Sequence, residues 1–248
     1  MRNATKLPSR HIIRHHIHRI TSSEYFRVLT LRTIGNFLLF SSLFMILRTI
    51  YPPVREEIKY FINNRLQKEY VVAAKPGEVK VQEPANKGLL AKAINFKQIE
   101  VLTPKDPQFD IIIPKIGANS RVMDADPANE SQYLGVLKEA VAHATGTDFP
   151  GEGGHIFLFA HSTDYFWNVS TYNAVFYLLY KLGVGDEVDL FYKGQRYVYR
   201  VIGTQIVDPT EVQYLTRKTN REFLTLQTCW PPGTTLKRLL VFAVRVAE

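Results

Sequence analysis

One cysteine, Cys229, stands in a chain of 248 residues, so no intramolecular disulfide can form. A single thiol in an exported chain has two fates, burial as a small hydrophobe or use as a reactive group. The sequence also lacks a cationic body. Its formal charge of +8 is unevenly spread: residues 1–69 hold 12 Lys and Arg against 4 Asp and Glu, and the rest of the chain holds 19 against 19. A body without net charge has no clustered cationic stripe to displace counterions from a phosphate backbone, which argues against nucleic acid as a partner. Acidic clusters dense enough for calcium are missing, as are internal repeats, and no cofactor is expected.

What is present falls into four stretches. Residues 1–32 carry Arg2, Lys6, Arg10, Arg14, Arg19, Arg27 and Arg32 together with His11, His15, His16 and His18, and Glu24 is their one acid. This reads as a basic cytoplasmic arm. Its histidines have neither Cys nor carboxylate partners, and the arginines repel a cation, so no metal site is expected. Residues 33–53 read as a transmembrane helix, because the run from Thr33 to Tyr51 can cross a bilayer if Arg32 and Arg48 reach to opposite interfaces. A soluble amphipathic helix or an uncleaved signal sequence is the competing reading, favoured by Asn36, Ser41 and Ser42. The excess of Lys and Arg before the run sets the N-terminus inside and the remainder outside. Residues 54–106 begin with a short helical pattern over 54–70 and continue as a spacer mixing Pro, Gly, Lys and Glu.

Residues 107–248 change character. FDIIIPKI, HIFLFAH, EVDLFYKG, QRYVYRVIGTQIV, EFLTLQTC and LKRLLVFAVRV are short runs of β type, and Lys193-Gly194 fits a tight hairpin. Only 130–138 and 173–182 read as helical. The pattern predicts an all-β, mainly antiparallel domain, barrel or sandwich, with short helices in the connections.

Three residues in this body carry chemistry. Side chains alternate along EFLTLQTCW, so Leu224 and Leu226 share one face while Thr225, Gln227 and Cys229 share the other. Pro231 and Pro232 cannot extend a ladder, which leaves Cys229 at the mouth of a loop. HIFLFAHST ends an apolar strand at His161, with hydroxyl residues and Asp164 behind it. In LKRLLVFAVRV, Arg238 shares a face with Leu240 and Phe242, a poor place for a permanent charge unless it lines a polar groove. Taken singly, each has a plain alternative: a buried thiol, a core histidine, an edge strand facing water.

The motifs become specific together. TLQTC at 225–229 resembles the sortase TLxTC signature, with an arginine in the following strand. AVAHATGTDFPGEGGHIFLFAHST at 140–163 is similar to that family's pattern leading into its histidine, and FDIIIPKIGANSRV at 109–122 resembles its opening strand. The resemblance covers about residues 107–247. It implies a closed β-barrel and a membrane-anchored bacterial cysteine transpeptidase, with Cys229 as nucleophile, His161 as proton donor to the departing amine and Arg238 as substrate binder and oxyanion stabiliser. His143 matches a second histidine often seen in the family and Thr228 precedes the nucleophile as in the signature, and a part in substrate binding is the expectation for both.

By the same resemblance, the substrates are surface proteins bearing an LPxTG-like sorting signal, and the acceptor is an amine of cell-wall peptide or of a pilin lysine. Ala160 and Ser162 flank His161 where Gly and Arg are usual, and His155 takes the place of an Asn. These departures leave the subclass open, class D or E among the options. A hydrolase of the same fold and a silent peptide-docking module remain as competing functions.

Overall fold

The computed structural model describes residues 21–66, 68–73, 99–162 and 175–246. The histidine-rich arm before Thr21, the middle of the expected spacer, Asp164 and the start of the 173–182 segment lie outside them. The chain divides into two compact units between Arg48 and Thr49.

Helix α1 runs from Ser22 to Arg65. A capping box starts it. The Thr21 N–H donates to Glu24 Oε2 at 2.9 Å and the Glu24 N–H to Thr21 Oγ1 at 3.4 Å, so two donors that the first turn would orphan find acceptors. Among the described residues, its stretch Ser22–Tyr51 is the one long and apolar enough to cross a membrane, with a mean hydropathy of 1.5. The helix therefore begins before Thr33 and continues into the segment expected to be spacer. Strands β1 (Glu69–Val72) and β2 (Ile99–Leu102) follow as a parallel pair.

Eight strands then close a barrel: β3 (Phe109–Ile113), β4 (Ala118–Ala125), β5 (Val141–Ala144), β6 (His155–Phe159), β7 (Glu187–Tyr192), β8 (Gln195–Val207), β9 (Phe223–Trp230) and β10 (Lys237–Arg245). Their order around the wall is β10-β8-β7-β3-β4-β5-β6-β9, with β9 returning to β10. Two of the eight pairings, β4 with β5 and β6 with β9, are parallel, and six are antiparallel. The hairpin predicted at Lys193-Gly194 joins β7 to β8, with φ of 50° and 79° at those residues, the left-handed pair that a two-residue turn requires. Helix α2 (Glu130–Leu137) opens on Asn129, whose side chain accepts from the Gln132 N–H, and matches the expected helix over 130–138. The described part of 173–182 differs from expectation. It winds as turns and one 3-10 turn, Leu179–Lys181, because packing of Phe176 and Leu179 into the core and of Tyr180 against Trp230 outweighs a weak helical propensity.

Ile111, Ile113, Ile156, Leu158, Leu190, Leu224, Leu226 and Val241 fill the barrel with no exposed surface. Each such side chain stabilises by about 1.5 to 3 kcal/mol. The opposite face of β3 and β7 is covered too. Tyr70, Val72 and Leu102 of the β1-β2 pair pack on Ile112 and Phe191.

Candidate active site

Cys229 lies one residue before the end of β9, and Arg238 on β10 is its partner in the ladder. On the other flank, β6 runs parallel to β9 with Phe157 opposite Thr225 and Phe159 opposite Gln227. The pairing outlasts the strand. The Ala160 N–H donates to the Gln227 carbonyl at 3.1 Å, and Thr228 Oγ1 donates back to the Ala160 carbonyl at 2.9 Å. His161 follows Ala160 directly, at the end of β9 that bears Cys229. From just beyond the end of β6, the end of β9 and the start of β10, His161, Cys229 and Arg238 line one cavity as a row.

That row opens on a cavity of about 470 Å³. Its floor is Phe157, Phe159, Gln227, Thr228 and Cys229. Helix α2 forms one wall through Tyr133, Leu134 and Leu137. The connection from β8 to β9 forms another through Pro209, Val212 and Leu215, and the β9-β10 turn closes the end through Gly233, Thr234 and Thr235. The lining is mostly apolar with a few convergent polar groups, the usual composition of a ligand-binding cleft. Alternation along the strands accounts for the layout. Leu224 and Leu226 face the core with no exposure, while Gln227 and Cys229 are half-buried.

Electrostatics at the thiol are balanced between two causes. Burial pushes Cys229 above the ordinary thiol range, and the Arg238 guanidinium pulls it part of the way back. Arg238 Nη1 donates to the Thr235 carbonyl at 3.2 Å and to the Lys237 carbonyl at 3.1 Å, which ties the guanidinium to its own hairpin. By contrast Arg121, Arg196, Arg200 and Arg245 are each ion-paired to carboxylates.

The remaining expected site residues divide. Thr228 lines the cavity, yet its hydroxyl is buried in the bond to Ala160 that locks β6 to β9. His143 is not among the residues lining the cavity. Its ring is 1% exposed, with Nδ1 at 2.8 Å from Asp124 Oδ1 and Nε2 near Thr147 Oγ1 and the Asp148 carbonyl. These contacts tie β5 to β4 and to the β5-β6 loop. His155 is a second buried histidine. Its Nε2 meets Thr225 Oγ1 at 2.8 Å, and burial holds its pKa down at about 4, so it sits neutral. Sequence reasoning missed Tyr133, Phe157, Phe159 and Leu215 as cavity walls. The outward parity of Phe157 and Phe159 with Gln227 and Cys229 was the available signal.

The sortase domain family matches residues 111–246, more than half of the chain. Sortase D of Bacillus subtilis (strain 168) is 28% identical over 137 residues, 54% of this chain, and the match spans 61% of that protein's length. Among solved structures, sortase C-1 of Actinomyces oris is 30% identical with a TM-score of 0.47, covering 58% of this chain and 76% of that one. A lid mutant of sortase A from Corynebacterium diphtheriae is 26% identical, also with a TM-score of 0.47, covering 58% and 72%. The closed eight-stranded barrel, the matched stretch and the motifs within it together show that the chain belongs to the sortase family.

Proposed function

We propose that this protein is a membrane-anchored cysteine transpeptidase. It cleaves an LPxTG-like sorting signal through a thioacyl-enzyme intermediate and transfers the acyl group to an amine of cell-wall peptide or pilin. The observation that carries the reading is the row His161, Cys229, Arg238 at the open cavity, read with the family match over residues 111–246.

In the proposed reaction, the Cys229 thiolate attacks the scissile carbonyl, and protonated His161 gives its proton to the departing amine. The thiol, raised by burial, is mostly protonated at neutral pH, so the reactive ion pair is a minority species that Arg238 helps to populate. Arg238 then faces the developing oxyanion in a partly desolvated groove, where one donor is worth about 3 to 4 kcal/mol of barrier lowering. A second amine enters, attacks the thioester and regenerates the thiol. Helix α1 holds enzyme and membrane-borne substrate on one surface and raises their effective concentration, with the N-terminus inside and the barrel outside.

The test is product analysis with the full chain in bilayers, a panel of LPxTG-like peptides, and a small amine present or absent. The reading expects a ligated peptide-amine product whenever the amine is supplied. Hydrolysed peptide alone at every amine concentration would make the protein a peptidase instead.

A further inference from the structure

The end of helix α1 belongs to the same compact unit as the barrel, and its Glu57 and Tyr60 meet Tyr180 and Lys181 there. Tyr180 donates its hydroxyl proton to Glu57 Oε1, and Lys181 Nζ lies 3.3 Å from Glu57 Oε2. The Lys181 ammonium also sits 5.3 Å from the Tyr60 ring centre and 4.6 Å from that of Tyr180. Tyr180 in turn packs its ring on Trp230 at 5.5 Å between centres. Trp230 follows Cys229 directly and pairs with Lys237, the neighbour of Arg238.

This is a short mechanical path. Trp230 is the last side chain of β9, and beyond it Pro231 offers no N–H to the ladder. Whatever holds Trp230 therefore fixes the end of β9 and the turn that carries Thr235, a carbonyl partner of Arg238. A tyrosine ring could pack on Trp230 without its hydroxyl. The bond to Glu57 adds direction, because it fixes where the ring of Tyr180 points. An isolated surface ion pair would be worth little, but this one is coupled to the tilted Tyr180–Trp230 ring pair and is partly buried.

We infer that Glu57 and Tyr180 are positioning residues for the proposed reaction: the tail of the anchoring helix clamps Tyr180 on Trp230 and thereby keeps Cys229 and Arg238 in line. The inference rests on the roles proposed above for those two residues. It gives helix α1 a task at the active site in addition to attachment.

The experiment follows the pH profile of Cys229 alkylation by a neutral reagent such as iodoacetamide, on the full chain in bilayers. That readout needs no peptide substrate, so it stands even if no sorting signal is found. Trp167→Phe in all variants leaves Trp230 as the only tryptophan, and its emission is recorded in parallel. In Glu57→Ala and in Tyr180→Phe, the alkylation midpoint should move to higher pH. The rate at neutral pH should fall about two- to tenfold, the equivalent of one hydrogen bond, and Trp230 emission should shift to the red. The double variant should be no worse than Glu57→Ala alone, since both changes cut the same link. Tyr180→Phe keeps the ring and serves if Glu57→Ala unfolds the unit. Unchanged midpoint and emission in Tyr180→Phe would overturn the inference, as would strictly additive losses in the double variant. Failure of amine transfer with a normal clamp profile would instead count against the proposed function.

Discussion

Two polar patches on the outer surface of the barrel meet opposite fates. On β3, β4 and β7, Asp110, Asn119 and Asp189 lie on the same face as Ile112 and Phe191, and the β1-β2 pair with its following loop seals that face. Asp110 accepts from the N–H groups of Lys105 and Asp106 and Asp189 from Arg196 Nε, while Asn119 donates to the Thr103 carbonyl. On β6, β9 and β10, the same outward parity presents His161, Cys229 and Arg238, but there the covering segments stand apart as walls and leave a cavity. Polar groups under a lid of chain hold loops. Polar groups left uncovered can meet a substrate.

The largest expected effect tests this division. His161→Ala and Arg238→Lys should each lower amine transfer by about two to three orders of magnitude, the usual cost of losing a proton donor or an oxyanion contact. Asp110→Asn should leave transfer within a few-fold of the parent. Single-turnover kinetics with a common peptide would check both, and comparable losses on the two faces would break the comparison.

A second effect concerns the thiol alone. Because Arg238 lowers a Cys229 pKa that burial has raised, Arg238→Gln should move the alkylation midpoint further up, and alkylation at neutral pH should slow. Alkylation rates across a pH series would show it.

The sealed face makes a smaller and opposite kind of prediction. Burial pushes Asp110 from 3.8 to about 7, so the folded state keeps a proton that the unfolded chain releases. Its share of stability is present below pH 4 and is lost as pH rises from about 4 to about 7. Asp110→Asn removes that titration, and thermal melts across this range should flatten relative to the parent. Smallest of all, Thr228→Val removes the bond to the Ala160 carbonyl and should cost about 1 kcal/mol in a denaturant melt.

The sequence made the six longest apolar strands legible, as well as helix 130–138 and the Lys193-Gly194 turn, because alternation and turn chemistry are local signals. Strands β4 and β5 escaped. ANSRVMDA mixes polar and charged residues, and VAHA is four residues long, so neither shows a strand period until its neighbours pair with it. The early start of α1 was readable after all in Thr21-Ser22-Ser23-Glu24, a capping box that the apolar run overshadowed. At the site, Cys229 and Arg238 follow from strand parity. That His161 lines the same cavity as Cys229 depends on the parallel pairing of β6 with β9, about seventy residues apart in sequence. No local pattern encodes that. His143 is buried, and its contacts with Asp124 and Thr147 likewise join segments that no local pattern links.

The most direct test of the account is the covalent state of Cys229 during turnover. The 248-residue chain, mixed with an LPxTG-like peptide without amine, is quenched and analysed by intact and peptide mass spectrometry. The account predicts an acyl adduct on Cys229 that an added amine discharges into ligated product, and no adduct in Cys229→Ala. Cleavage of the peptide by Cys229→Ala at the parent's rate, with Cys229 of the parent unmodified throughout, would contradict it.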